Sequence, residues 1–195
     1  MTSPGYDELL AHARFPRDAR TLAFAGVIGK GLAIGEYPLI RGMSDDSFQR
    51  LMSAYFPQIA LENGAISTQQ MANLDEYQDL LALLLDYRAD PSEVNTWLCH
   101  AIASAAMRDE HLWQDMGLPN RKVLSQLLEE NFPKLAAMNA GDMKWKKFFY
   151  RQLCQRAEVP ICKSPNCADC SDYGICFGQE EADSPTAVTF RGASP

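Results

Sequence analysis

The chain has 195 residues, 47% of them apolar, and sets 25 Asp and Glu against 18 Lys and Arg for a formal net charge of -7. That length buries a proper core in one domain with at most a small appendage, and the negative balance argues against nucleic acid or an anionic lipid surface as the main target. The first thirty residues are too charged for a signal peptide, and no apolar run approaches the roughly 18 residues of a membrane span, so a cytoplasmic protein is expected.

In chain order, Leu22 to Leu32 is apolar but carries Gly26, Gly29 and Gly31, which predicts a helix that frays or packs closely on a neighbour. From Ser44, a good N-cap, Phe48, Leu51, Met52 and Tyr55 follow at helical spacing until Pro57. Ser67 with Gln70 has the form of a capping box, and the amphipathic run that follows reaches about Arg88. Asp90 as N-cap, Pro91 in the first turn and Glu93 open a helix predicted to run to Asp115, before Gly117. A further helix follows Asn120, with Val123, Leu124, Leu127 and Leu128 as its buried stripe and Pro133 interrupting it. The last spans Met143 to about Ala157, and nothing reads as a strand.

The expected architecture is therefore all-α: a compact domain of about six helices over residues 1–157, a cysteine-rich loop over 158–178 packed on it, and a flexible tail over 179–195. Residues 44–63 and 120–139 share Leu, Phe-Pro, Ala and Asn at matching places, a pattern consistent with an internal helical duplication.

Cys162, Cys167, Cys170 and Cys176 fall in the pattern C-x4-C-x2-C-x5-C. In a reducing compartment such clusters read as metal ligands sooner than as disulfides. Fourteen residue steps could stretch to about 48 Å, so four sulfurs share one centre only if the chain folds back repeatedly. Pro165-Asn166, Asp172, Gly174 and Gly178 favour the tight bends that this requires over regular structure. Structural zinc usually takes two C-x2-C pairs a dozen or more residues apart. The run C-x4-C-x2-C instead begins like a plant-type iron-sulfur spacing, although its fourth cysteine comes early. An iron-sulfur cluster fits better, and zinc stays open as the alternative. Cys99, and with less force Cys154, read as small buried apolar residues; Cys154 is an accessory candidate because it lies near the cage.

Ahead of the cage, "MKWKKFFYRQLCQRA" holds five Lys and Arg and no acid. At 100° per residue Lys144, Lys147 and Arg151 share one face with Cys154 at its edge, while Trp145, Phe149 and Leu153 turn to the core. That face could attract an oxyanion or dock an acidic partner, or be a solvated helix surface. His100 and His111, eleven residues apart on one predicted helix, lie about 16 Å apart along its axis and cannot share a metal. His111, at the expected C-terminal end of that helix, is an accessory ligand candidate against the plainer reading of a hydrogen-bonded structural histidine. His12 carries no signal.

The combination of "HLWQDMGL" (111–118), "FPKLAAMN" (132–139), "MKWKKFFYRQLC" (143–154) and the four-cysteine run followed by Phe-Gly resembles the NifQ family of nitrogen-fixation proteins, over about residues 91–178. The resemblance implies a carrier of molybdenum in an iron-sulfur-bound form, a Mo-Fe-S cluster, supplying the metal for assembly of the nitrogenase iron-molybdenum cofactor. It implies the nitrogenase iron protein NifH and the scaffold NifEN as partners, with molybdate as a metal source. The family cysteines fall on Cys162, Cys167, Cys170 and Cys176; His111 is not carried over as a ligand. On this reading three cysteines hold iron, molybdenum sits at an open corner, and Cys176, on the longest spacer, is the ligand expected to let go. Neither a Gly-rich phosphate loop nor a catalytic triad is legible, so no enzyme is expected. A zinc-stabilised helical adaptor and an iron-sulfur electron carrier are the competing readings.

Overall fold

The computed structural model describes residues 4–65, 74–159 and 170–180. Within them run ten helices and no strand: α1 (Tyr6–Ala11), α2 (Ala19–Ile34), α3 (Asp45–Tyr55), α4 (Leu74–Tyr87), α5 (Glu93–Ala106), α6 (Leu112–Asp115), α7 (Arg121–Asn131), α8 (Pro133–Met138), α9 (Trp145–Arg156) and α10 (Tyr173–Phe177). Six of them have eleven residues or more and stand where the hydrophobic periodicity predicts helices. The four short ones, of four to six residues, raise the number above the expected six. The proposed capping box at Ser67 and Gln70 lies outside the described residues. Among those described, no helix is long and apolar enough to cross a membrane.

The centre of the molecule is α2. Asp18 caps it by accepting from the Arg20 and Thr21 amides, and residues on all its sides are buried, as in a helix surrounded by others. It packs against α1, α5, α6 and α7. Its glycines do not fray it; they admit neighbours. A Cβ on Gly26 would stand 2.0 Å from the Met116 carbonyl oxygen, and one on Gly29 3.1 Å from the Tyr6 nitrogen. The largest side chains with essentially no exposure are Phe24 of α2 itself and Phe48, Phe56, Phe132 and Phe149.

The helix expected to reach Asp115 stops at Ala106. Its cap is Ser92, whose hydroxyl accepts from the Asn95 amide, whereas Asp90 receives the Ser92 amide and the Asn95 side chain. The stop has an electrostatic cause. Arg108 folds back into the body and donates to Glu36, to the Val27 carbonyl and to the Asp115 carbonyl at 2.8, 3.1 and 3.0 Å, a set of partners that a continuing helix would carry it past. The chain restarts as α6, where Gln114 accepts from the His111 amide, and Gly117 at φ 62 turns it into α7.

The two Phe-Pro segments end their helices alike. Phe56 and Phe132 are C-caps with φ, ψ of -133, 58 and -139, 53, each amide bonded to the carbonyl four residues back at 2.7 Å. Seven residues on, Asn63 and Asn139 each use their amide group to bracket both backbone groups of one residue, Ile40 and Met143 respectively. The likeness ends in between: Pro133 opens α8 at its first position, while residues 57–65 form no helix. Val123, expected in the buried stripe of α7, is only partly covered.

Candidate functional site

The basic helix α9 is pinned by its apolar side. Trp145, Phe148 and Phe149 are buried, the Trp145 indole donates to the Ser125 hydroxyl at 3.1 Å, and Leu153 is partly covered. Alternation with this apolar set sends Lys144 and Lys147 outward, as their spacing predicts. Lys146 instead turns inward to a carboxylate with no solvent exposure, Asp115. One oxygen of Asp115 receives Lys146 and the other receives Lys30 of α2, both at 2.6 Å. Lys146 also donates to the Arg108 carbonyl, and Lys30 to Glu110. Burial depresses the Lys146 pKa despite the bond to Asp115. The less buried Lys30 pays a smaller desolvation cost, and its two carboxylates hold it above the ordinary lysine range.

Between α9 and the turn that separates α5 from α6 opens a cleft of about 520 Å³. Lys144, Lys146, Lys147 and Tyr150 form one wall, Asp109, Glu110, His111 and Gln114 the other, and Ile175 and Glu180 of the cysteine arm close an end. Two of its acids are engaged: Glu110 by Lys30 at 2.7 Å, and Glu180 by Arg121 at 3.5 Å. The structure thus brings Lys144, Lys147 and His111 to one place. Arg151 and Cys154, the rest of the predicted face, lie further along α9 and do not line the cleft; Cys154 is a half-buried free thiol.

Of the four motif cysteines, Cys162 and Cys167 lie outside the described residues. Cys170 and Cys176 are both half-buried. Turn chemistry predicts tight bends here, yet residues 173–177 close into the short helix α10, with the rings of Tyr173 and Phe177 stacked at 4.6 Å. Cys176 and Phe177 pack against the core, and the Cys176 carbonyl accepts from the Lys144 amide at 2.8 Å. The arm therefore docks at the start of the basic helix.

The remaining candidates resolve individually. Cys99 is fully buried and burial pushes its thiol up to about 12, the behaviour of a small apolar residue. His100 meets the Arg41 carbonyl and the Tyr77 hydroxyl at 3.1 and 2.8 Å, and burial lowers its pKa. His111 is not at a helix C-terminus as expected but at the N-cap of α6, with Nδ1 3.7 Å from Glu180. His12 sits on the surface against Gln58. Among the described residues no group of three or more His, Cys, Asp and Glu could hold a metal ion.

Asp115, Lys30 and Arg108 belong to no motif or spacing that marks them as a site. A signal existed for two of them: Lys30 is the one charge between Thr21 and Gly35, and Asp115 sits among Leu112, Trp113, Met116 and Leu118. Lone charges in apolar stretches find each other when buried.

The described residues thus form an all-helical protein that presents a cysteine-bearing arm at one end of a lysine-lined cleft. The NifQ family model matches residues 24–178. The chain is 36% identical over 156 residues to "Protein NifQ" of Azotobacter vinelandii, covering 73% of this chain and 80% of that protein. It is 36% identical over 152 residues to "Protein NifQ" of Klebsiella pneumoniae, covering 73% and 89%, and 46% identical over 84 residues to that of Rhodobacter capsulatus, covering 43% and 47%. The chain belongs to the NifQ family of nitrogen-fixation proteins. No solved structure matches it.

Proposed function

We propose that this protein is a cytoplasmic molybdenum carrier, and not an enzyme: it holds the metal in an iron-sulfur-bound form and supplies it for assembly of the nitrogenase iron-molybdenum cofactor. The observation that carries the reading is the docking of the cysteine arm beside Lys144 and Lys147, which joins thiolate ligands to a positively charged entrance. Cys162, Cys167, Cys170 and Cys176 are the ligand set. The donor chemistry of the described part fits, because Cys170 and Cys176 are only half-buried, within reach of solvent, and soft thiolates suit iron-sulfur chemistry. Cargo that must be handed on favours a centre with a weakly held corner over one saturated by protein ligands.

Lys144 and Lys147 serve to draw in a tetrahedral oxyanion, with molybdate as the metal source, while Lys146 is held by Asp115 and gives the wall its position. NifH and NifEN are the proposed recipients, with Arg151, on α9 outside the cleft, as a docking residue for an acidic partner. The reading is tested by loading the iron-containing chain with molybdate. The Lys144→Ala, Lys147→Ala double variant should take up several-fold less molybdenum at unchanged iron content, with the deficit shrinking at high salt. Equal uptake by both proteins would remove the lysines from the mechanism.

A further inference from the structure

We propose that Arg121 is a positioning residue for Cys176, and that Cys176 is the fixed ligand of the cysteine motif and not the one that lets go. The inference rests on the reading of Cys176 as a cluster ligand. Its ground is a clasp built from three separate parts of the chain.

The first part is a stiff turn between α8 and α9. Asn139 brackets the Met143 amide and carbonyl at 2.9 Å each, and the Asp142 amide returns to the Asn139 carbonyl at 2.9 Å. Asp142 adopts φ 53, a left-handed conformation that costs a non-glycine residue energy unless its surroundings hold it. Arg121, at the first position of α7, holds it: one guanidinium nitrogen donates to the Asp142 carbonyl, the Asp142 carboxylate and the Met143 carbonyl at 2.9, 2.8 and 3.0 Å. Such bonds from a charged donor are the stronger kind.

The arm then docks on that turn at Cys176 and at points just beyond it. The Lys144 amide, next after the turn, donates to the Cys176 carbonyl at 2.8 Å. The Phe177 ring lies where it would stand 3.3 Å from a Cβ on Gly141. Four residues beyond Cys176, Glu180 has a side chain only 5% exposed and lies 3.5 Å from the other terminal nitrogen of Arg121. One guanidinium thus ties together the turn that receives the Cys176 backbone and the carboxylate that follows it. None of these contacts uses a metal, so the Cys176 arm is held before any cluster arrives. Spacer length alone points the other way, but a long spacer loosens a ligand only when nothing else grips it.

The test reads the clasp and the metal separately in the full chain. In metal-free protein prepared with a chelator, exchange of the Lys144 amide should rise at least about tenfold in Arg121→Ala, less in Glu180→Gln, and fall part of the way back in Arg121→Lys. In protein loaded without oxygen, Arg121→Ala should lose iron to a chelator about tenfold faster than the parent and show an altered cluster spectrum, with Arg121→Lys between them. Unchanged Lys144 exchange in both Arg121→Ala and Glu180→Gln would overturn the clasp. Faster exchange with unchanged iron loss, while Cys176→Ser abolishes loading, would overturn the positioning role and leave the ligand reading standing. Loading of Cys176→Ser equal to the parent would overturn the ligand reading itself, and the proposal with it.

Discussion

Asp115 shows how much one buried charge organises. It joins Lys30 of the central helix to Lys146 of the basic helix with no solvent exposure of its own, so removing its charge leaves two ammonium groups facing each other. Breaking a buried pair costs about 3–5 kcal/mol; because both lysines keep some contact with water, Asp115→Asn should fall at the lower end of that range in urea unfolding. An unchanged midpoint would mean that the lysines reach solvent without it. His100 gives a pH dependence. Buried, it has a pKa below the ordinary 6.5, so between those values the unfolded chain binds the extra proton and the folded one does not. Stability should therefore fall as pH drops from 6.5 and level off below the folded value. His100→Asn should flatten that stretch of the unfolding midpoint against pH; identical slopes in both proteins would assign the dependence elsewhere. At this scale the sequence is legible where a residue's neighbours contradict it, as with Lys30 and Asp115. Helical spacing sets Lys144 and Lys147 on one face, but it is silent on what draws Lys146 inward, because that partner lies 31 residues away.

Elements were legible wherever apolar periodicity and a cap agree. Ser44 and Asn120 cap as their residue type predicts, and the Phe-Pro stops have the same backbone at both places. The failure at α5 is instructive. Nothing between Met107 and Glu110 breaks a helix by propensity; the break comes from Arg108 reaching partners on α2 and the loop after it, a tertiary preference that overrides the local one. The glycines of α2 show the converse, since a run that looks weak locally is required by packing. Gly26→Ala drives a Cβ into the Met116 carbonyl, an atom of backbone that cannot swing aside. It should cost about 3 kcal/mol, the upper end of overpacking, measured as a lowered thermal midpoint. A midpoint within a degree of the parent would show that α6 moves away freely.

At the scale of the whole molecule, the fold places two unlike chemistries together: a helix that carries charge outward and a carboxyl-terminal arm that carries sulfur. The sequence made the sulfur legible through spacing and the charge through composition. Adjacency in the chain already brings the charge beside the sulfur, but the backbone bond from Lys144 to Cys176 that fixes the arm there is one no side-chain pattern encodes. Nor could the sequence show that the opposite wall of the cleft comes from the break between α5 and α6, which places His111 beside the arm. The measurement that bears most directly on the central claim is the iron, sulfide and molybdenum content of the full chain purified without oxygen, beside variants with Cys162, Cys167, Cys170 or Cys176 replaced by serine. A molybdenum-iron-sulfur carrier predicts all three elements in the parent and marked loss of iron and sulfide in the variants. One zinc per chain without sulfide, or the same metal content in parent and variants, would contradict it.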